Sequence, residues 1–218
     1  MINFLDIFGT FVFAISGAFR AVKYELDLFG VLVLSVATGV GGGVVRDLIL
    51  GFTPPAAFQN ETYLLVCFAG GLLVFIGSTR IATRWDSVMA SDALGLSVFA
   101  AIGAAKASIC GLGTIGIIMM AAITATGGGI IRDMLVCEIP AVLKTDFYAT
   151  AALFGGVCFV TAGVLGCSEN IQLFCAIAAT ICLRIVAMKY KISLPKVKSL
   201  PASPSQLTQE RKTRVKTK

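Results

Sequence analysis

The sequence has no histidine, a single tryptophan and few charges. Asp, Glu, Lys and Arg together make up 14% of its 218 residues. Without imidazole, a histidine-based catalytic triad, a histidine-ligated metal and a histidine proton switch are excluded. The seven cysteines form no C-x-x-C pair, so neither a metal site nor a disulfide framework is indicated. Nearly all lie in apolar stretches and are expected to be buried, inert thiols. No nucleophile–base pair is visible, which points away from an enzyme, and no cofactor or metal is implied.

What the chain lacks in charge it has in apolar residues. Hydrophobic side chains account for 57% of it, and the mean hydropathy is +0.90. Soluble domains carry about 25% charged residues. The composition therefore indicates an all-α integral membrane protein. The net charge of +6 is a property of one end. Residues 189–218 hold nine of the eighteen basic residues and one acid, Glu210, leaving nine bases against eleven acids elsewhere. A nucleic-acid-binding fold is not implied.

A membrane helix needs about 20 mostly apolar residues. Seven segments qualify, near 2–22, 28–50, 62–79, 89–107, 113–136, 147–166 and 170–188. The first lacks a basic leader and a cleavage site, so it is expected to stay as a span. Residues 191–218 are polar, basic and Pro/Ser-bearing, and are expected to form a disordered tail able to contact anionic lipid headgroups. With seven spans the termini face opposite sides. Arg20, Lys23, Arg80, Arg84, Lys144 and the tail share one side, and the other has little beyond Lys106. The excess of Lys and Arg puts the C-terminus in the cytoplasm and the N-terminus outside.

The strongest feature is an internal repeat. Residues 41–47 read GGGVVRD and residues 127–133 read GGGIIRD, an offset of 86. At the same offset Asp6 matches Asp92, Phe13 matches Phe99, Gly17 matches Gly103, Arg20 matches Lys106 and Thr38 matches Thr124. Beyond a one-residue loss in the loop, Tyr63 matches Tyr148. Each copy holds three spans, and an odd number turns the second copy over in the membrane. The expected organisation is a first repeat at 1–84, an inverted second repeat at 85–168, a seventh span at 169–190 and the tail at 191–218.

Each glycine costs about 1 kcal/mol against alanine inside a helix. Gly41, Gly42 and Gly43, and likewise Gly127, Gly128 and Gly129, are therefore expected to break the second and fifth spans. Freed backbone groups survive at membrane depth only against protein or a water-filled path. Close packing of helices is the alternative role for such small residues. A break exposes carbonyls near Thr38, Thr124 and Thr126, which suit a cation, and N–H groups beyond it, which suit an anion. Arg46, Asp47, Arg132 and Asp133 follow one turn later. A charge at mid-bilayer costs at least about 2.5–3.5 kcal/mol, so each must be paired or wet. They are expected to lock the kinked helices as ion pairs or to line and gate the path. Asp6, Asp92, Arg20 and Lys106 lie nearer span ends, where snorkelling or a vestibule role is open to them. Arg184 is expected to snorkel to the headgroups.

The doubled GGG-x-x-RD block in a 3+3+1 arrangement resembles a bacterial membrane family carrying the glycine-transporter label and related to the trimeric intracellular cation (TRIC) channels. The resemblance covers about residues 1–188. It implies a homotrimer with a pore in each subunit, lined by the second and fifth spans where they kink at Gly41–Gly43 and Gly127–Gly129. Potassium is the main permeant ion it implies, with sodium also passing. The channel is the first expectation, a secondary transporter of glycine or another small amino acid the second, and a non-transporting scaffold the last.

Overall fold

The computed structural model describes residues 1–81, 85–144 and 147–190, with the side chains of 78–81 and 85–88 left out of the description. Arg84, the Arg80 side chain and the tail expected to be disordered, 191–218, lie outside the described residues. Nine helices occur among those described: α1 Ile2–Lys23, α2 Leu28–Ile49, α3 Ala56–Gln59, α4 Thr62–Ile81, α5 Trp85–Ile109, α6 Thr114–Leu135, α7 Ala141–Lys144, α8 Ala149–Val164 and α9 Glu169–Tyr190. Five are long and apolar enough to cross a membrane: α1, α2, α6, α9 and the Met89–Ile109 part of α5. Thr62–Gly77 and Ala149–Val164 are shorter apolar helices.

The helix ends are written locally. Asp27 accepts a hydrogen bond from the Gly30 amide at 2.8 Å and so caps the start of α2. Five helices end in a left-handed residue, at Glu25, Gly51, Gly111, Cys137 and Gly166. In each case the next amide bonds back across the last turn, as Leu26 does to the Ala21 carbonyl and Glu138 to that of Asp133. The repeat shows here too. Glu25 matches Gly111, and Gly51 matches Cys137, so each copy places a glycine where the other has a side chain.

α5 is the central helix and packs on α1, α6, α8 and α9. α1 packs on α2 and α4, and α2 on α6, which joins the halves. The largest core cluster runs from Phe13 through Leu96, Phe99 and Ile102 to Ile117, Tyr148, Phe159 and Leu173. Phe13 and Phe99, equivalent in the repeat, meet with ring centroids 5.2 Å apart. Large apolar side chains such as Phe4, Phe29, Phe58, Ile76, Ile115 and Val164 face outward. That suits lipid or another protein surface and not water.

Three expectations are corrected. The glycine triplets do not break their helices: α2 runs unbroken from Leu28 to Ile49 and α6 from Thr114 to Leu135. The opposite helix supplies packing that exceeds the local cost of glycine. Arg184 does not snorkel. It is buried beneath the Tyr148 ring, its guanidinium carbon 4.8 Å from the centroid, because the cation gains more from the aromatic face than from stretching to the surface. The cysteines are not uniformly buried. Cys67 is, but Cys110, Cys137, Cys175 and Cys182 are exposed, since apolar residues of a membrane helix face outward as readily as inward.

Candidate ion pathway

α2 and α6 cross at their glycine triplets. A Cβ added to Gly42 would collide with the Thr124 carbonyl oxygen, and one added to Gly128 would collide with that of Thr38. Each glycine therefore presents a Cα–H to a carbonyl of the other helix, a weak contact that only a residue without a side chain permits. Gly127 is less tightly placed, with its added Cβ 3.1 Å from the Gly42 Cα. Gly41 faces Ile131. Gly43 and Gly129 lie beyond the crossing, next to Arg46 and to Tyr148 respectively. The contact is reciprocal, as a two-fold relation between the halves requires.

The threonines flank this crossing. Thr38 donates to the Leu34 carbonyl at 2.6 Å and Thr126 to that of Ala122 at 2.8 Å. Thr38 and Thr124 are fully buried, and their side chains press on Gly17 of α1 and Gly103 of α5. Hydroxyls bonded into their own helix leave only lone pairs for a ligand.

The charged residues gather into two clusters, one on each side of the crossing. In the first, Arg46 pairs with Asp47 at 2.8 Å and Asp6 at 3.3 Å. Lys106 reaches Asp6 at 3.4 Å and Asp47 at 3.6 Å. Tyr63 donates to Asp6 at 3.2 Å, and Asp47 also accepts from the Ala56 amide at 3.0 Å, which anchors α3. In the second, Arg132 pairs with Asp133 at 3.0 Å and Asp92 at 2.7 Å. Arg20 reaches Asp133 at 3.1 Å, and Asp133 accepts from the Ala141 amide at 2.8 Å. Each cluster thus binds the Arg-Asp pair of one repeat to a cation of the other: Lys106 of α5 serves Asp47, and Arg20 of α1 serves Asp133.

Asp6 and Asp92 are buried, which corrects the expectation of snorkelling. A carboxylate with a guanidinium within hydrogen-bond reach has no reason to move to the surface. Each arginine of the Arg-Asp motif pairs with its neighbour and with a second acid on another helix of the same repeat.

The clusters are not identical. Ser16 accepts from Arg132 Nη1 at 2.8 Å in the second, whereas its repeat equivalent is Ile102. Arg46 Nη1 has no partner among the described residues. The first cluster opens to a pocket of about 400 Å³ lined by Asn3, Asp47, Phe52, Gln59, Lys106 and Ile109, among others. Among the described residues no group of His, Cys, Asp and Glu is arranged to hold a metal ion.

Comparison with known proteins gives this geometry a family. The glycine transporter sequence profile matches residues 3–79 and 89–163, one block in each half. The UPF0126 membrane protein of Vibrio cholerae is 39% identical over 198 residues, covering 89% of this chain and 82% of that one. The UPF0126 inner membrane protein YadS of Escherichia coli is 39% identical over 198 residues, covering 89% and 95%. Among solved structures, the TRIC trimeric intracellular cation channel orthologue of Rhodobacter sphaeroides matches with a TM-score of 0.84 at 36% identity, covering 88% of this chain and 98% of that one. The chain belongs to the prokaryotic TRIC family. A further TRIC cation channel structure matches with a TM-score of 0.83 at 39% identity, covering 92% and 98%.

Of the site residues named for this TRIC-family chain from sequence, the structure brings Gly41, Gly42, Gly127 and Gly128 to one crossing. It gathers Asp6, Arg46, Asp47 and Lys106 on one side, and Asp92, Arg132 and Asp133 on the other. Sequence reasoning missed Tyr63 and Ser16 as members of the clusters. It also missed Glu138 and Tyr24, which bond to one another beside Arg20, and Tyr148, which lies against Gly129. The match of Tyr63 to Tyr148 was a usable signal. Ser16 and Glu138 have no like residue in the other repeat, so no pattern marked them.

Proposed function

We propose that this protein is a TRIC-type channel for monovalent cations, chiefly potassium, with a pore in each subunit of a homotrimer. The observation that carries the reading is the glycine crossing of α2 and α6, flanked on both sides by clusters of paired charges, in a chain whose structural neighbours are cation channels. In this reading all seven long helices cross the membrane, the halves are inverted, the N-terminus faces outside and the C-terminus the cytoplasm. The repeats span 1–84 and 85–168, α9 stands apart, and the basic tail meets anionic lipid.

The crossing is closed as it stands, with backbone against backbone. Conduction requires α2 and α6 to part. The carbonyls of Thr38 and Thr124 then lose their glycine cover and become oxygen ligands that replace part of an ion's hydration shell. Arg46, Asp47, Arg132 and Asp133 hold the two helices to α1 and α5 while this happens. Asp6, Lys106 and Asp92 set the charge of the approaches. No cofactor takes part.

Planar-bilayer recording of the purified protein in a KCl gradient tests the reading. Discrete current steps reversing near the potassium potential are expected. A silent bilayer, with saturable glycine uptake by the same preparation in vesicles, supports the second reading. That reading, a carrier of glycine or another small amino acid, is favoured by the glycine transporter profile on both halves.

A further inference from the structure

We infer that Glu138 acts as a latch on one mouth of the pathway, tying the end of α6 to the end of α1, while the equivalent position at the opposite mouth makes no such tie among the described residues. The inference rests on the channel reading above. Arg20 Nη1 donates to Glu138 Oε2 at 3.4 Å, and the Tyr24 hydroxyl donates to Glu138 Oε1. Arg20 also holds Asp133 at 3.1 Å, so the last turn of α6 and the short segment that follows it are both pinned to α1.

The repeat supplies the internal comparison. At the offset of 86, Glu138 corresponds to Phe52 and Tyr24 to Cys110. Neither of those can form an ion pair or a strong hydrogen bond. Phe52 is 47% exposed and lines the pocket of about 400 Å³ at the first cluster. The same fold position is thus an open wall on one side and a three-residue tie on the other. The backbone differs in the same sense. Cys137, just before Glu138, holds φ at 55°, where a side chain is strained, whereas its equivalent Gly51 holds φ at 79° without penalty.

Burial decides which contact opens first. The Asp133 side chain is 1% exposed, but that of Glu138 is 29% exposed. Asp133 released by Arg20 would keep Arg132 but gain no water in exchange, whereas Glu138 rehydrates as it leaves Arg20 and Tyr24. Glu138 is therefore the breakable tie, and its release frees the end of the helix that carries Gly128.

The test compares the full-length wild type with Glu138→Gln and Tyr24→Phe in planar bilayers, alongside hydrogen exchange over residues 134–141. Removing a charge-assisted contact is expected to raise open probability roughly three- to tenfold, with single-channel conductance unchanged. Exchange over 134–141 should quicken in both variants. A wild type that conducts, with variants of the same open probability, overturns the latch. If no protein conducts, the channel reading fails separately, and unchanged exchange in the variants overturns the tie itself. Tyr24→Phe keeps the test decisive should Glu138→Gln fold poorly.

Discussion

Gly42 and Gly128 make the same contact in opposite directions: each lies against the carbonyl of the threonine that precedes the other by one helical turn. At the crossing backbone lies against backbone, with no room for a side chain at either glycine. This also explains why the central glycine of each triplet has a different role from the third.

Gly42→Ala and Gly128→Ala should each destabilise the fold by about 1–3 kcal/mol, because the new methyl meets backbone that cannot yield. Gly43→Ala should be tolerated. Its Cβ would meet only the flexible Arg46 guanidinium at 3.5 Å, and alanine adds up to about 1 kcal/mol of helix propensity. Thermal unfolding in detergent distinguishes them. A Gly43→Ala loss as large as that at Gly42 would contradict the assigned crossing.

Asp92→Asn removes the closest partner of a buried guanidinium, at 2.7 Å from Arg132. Breaking a buried pair costs roughly 3–5 kcal/mol. Arg132 keeps Asp133, so a loss near the lower bound is expected, with a similar loss for Asp6→Asn at Arg46. Chemical or thermal denaturation measures both, and a negligible change in either would show that the pairs are dispensable.

Glu25 and Gly111 occupy the same left-handed position in the two copies, with φ of 55° and 73°. Glu25→Gly should stabilise by about 0.5–1 kcal/mol, and Gly111→Ala should cost about 1 kcal/mol. Opposite shifts in melting temperature are the expected result, and equal shifts of one sign would rule it out.

Lys106 and Asp47 line the open pocket together. In a cation channel, Lys106→Gln makes that mouth more negative and should raise potassium conductance about twofold at low salt. At 1 M salt, where charges are screened beyond about 3 Å, the gain should vanish. Conductance measured across KCl concentration checks this, and a gain that persists at high salt would point to a steric cause.

Much of the fold was legible in the sequence because its signals are local or periodic. Each of the seven apolar segments falls on a helix, five of them long and apolar enough to cross a membrane, and the ends agree to within a few residues except where α5 begins earlier. The offset of 86 foretold which residues would be equivalent, and Asp6 with Arg46 recurs as Asp92 with Arg132. The partners themselves were not legible. Lys106 serving Asp47, or Arg20 serving Asp133, depends on which helices lie side by side, and equivalence says nothing of that.

The sequence by itself determined the solvent this chain folds in, its duplication and the positions where charge must be neutralised, because those follow from composition and repetition. Only the tertiary structure decided what the glycine triplets do. A glycine weakens a helix by about 1 kcal/mol wherever it stands, so three together read as a break. Packed against a second triplet, they remain helical, because the missing side chains let two backbones meet. The same holds for Arg184 and Glu138, whose roles are set by an aromatic ring and a guanidinium from distant parts of the chain.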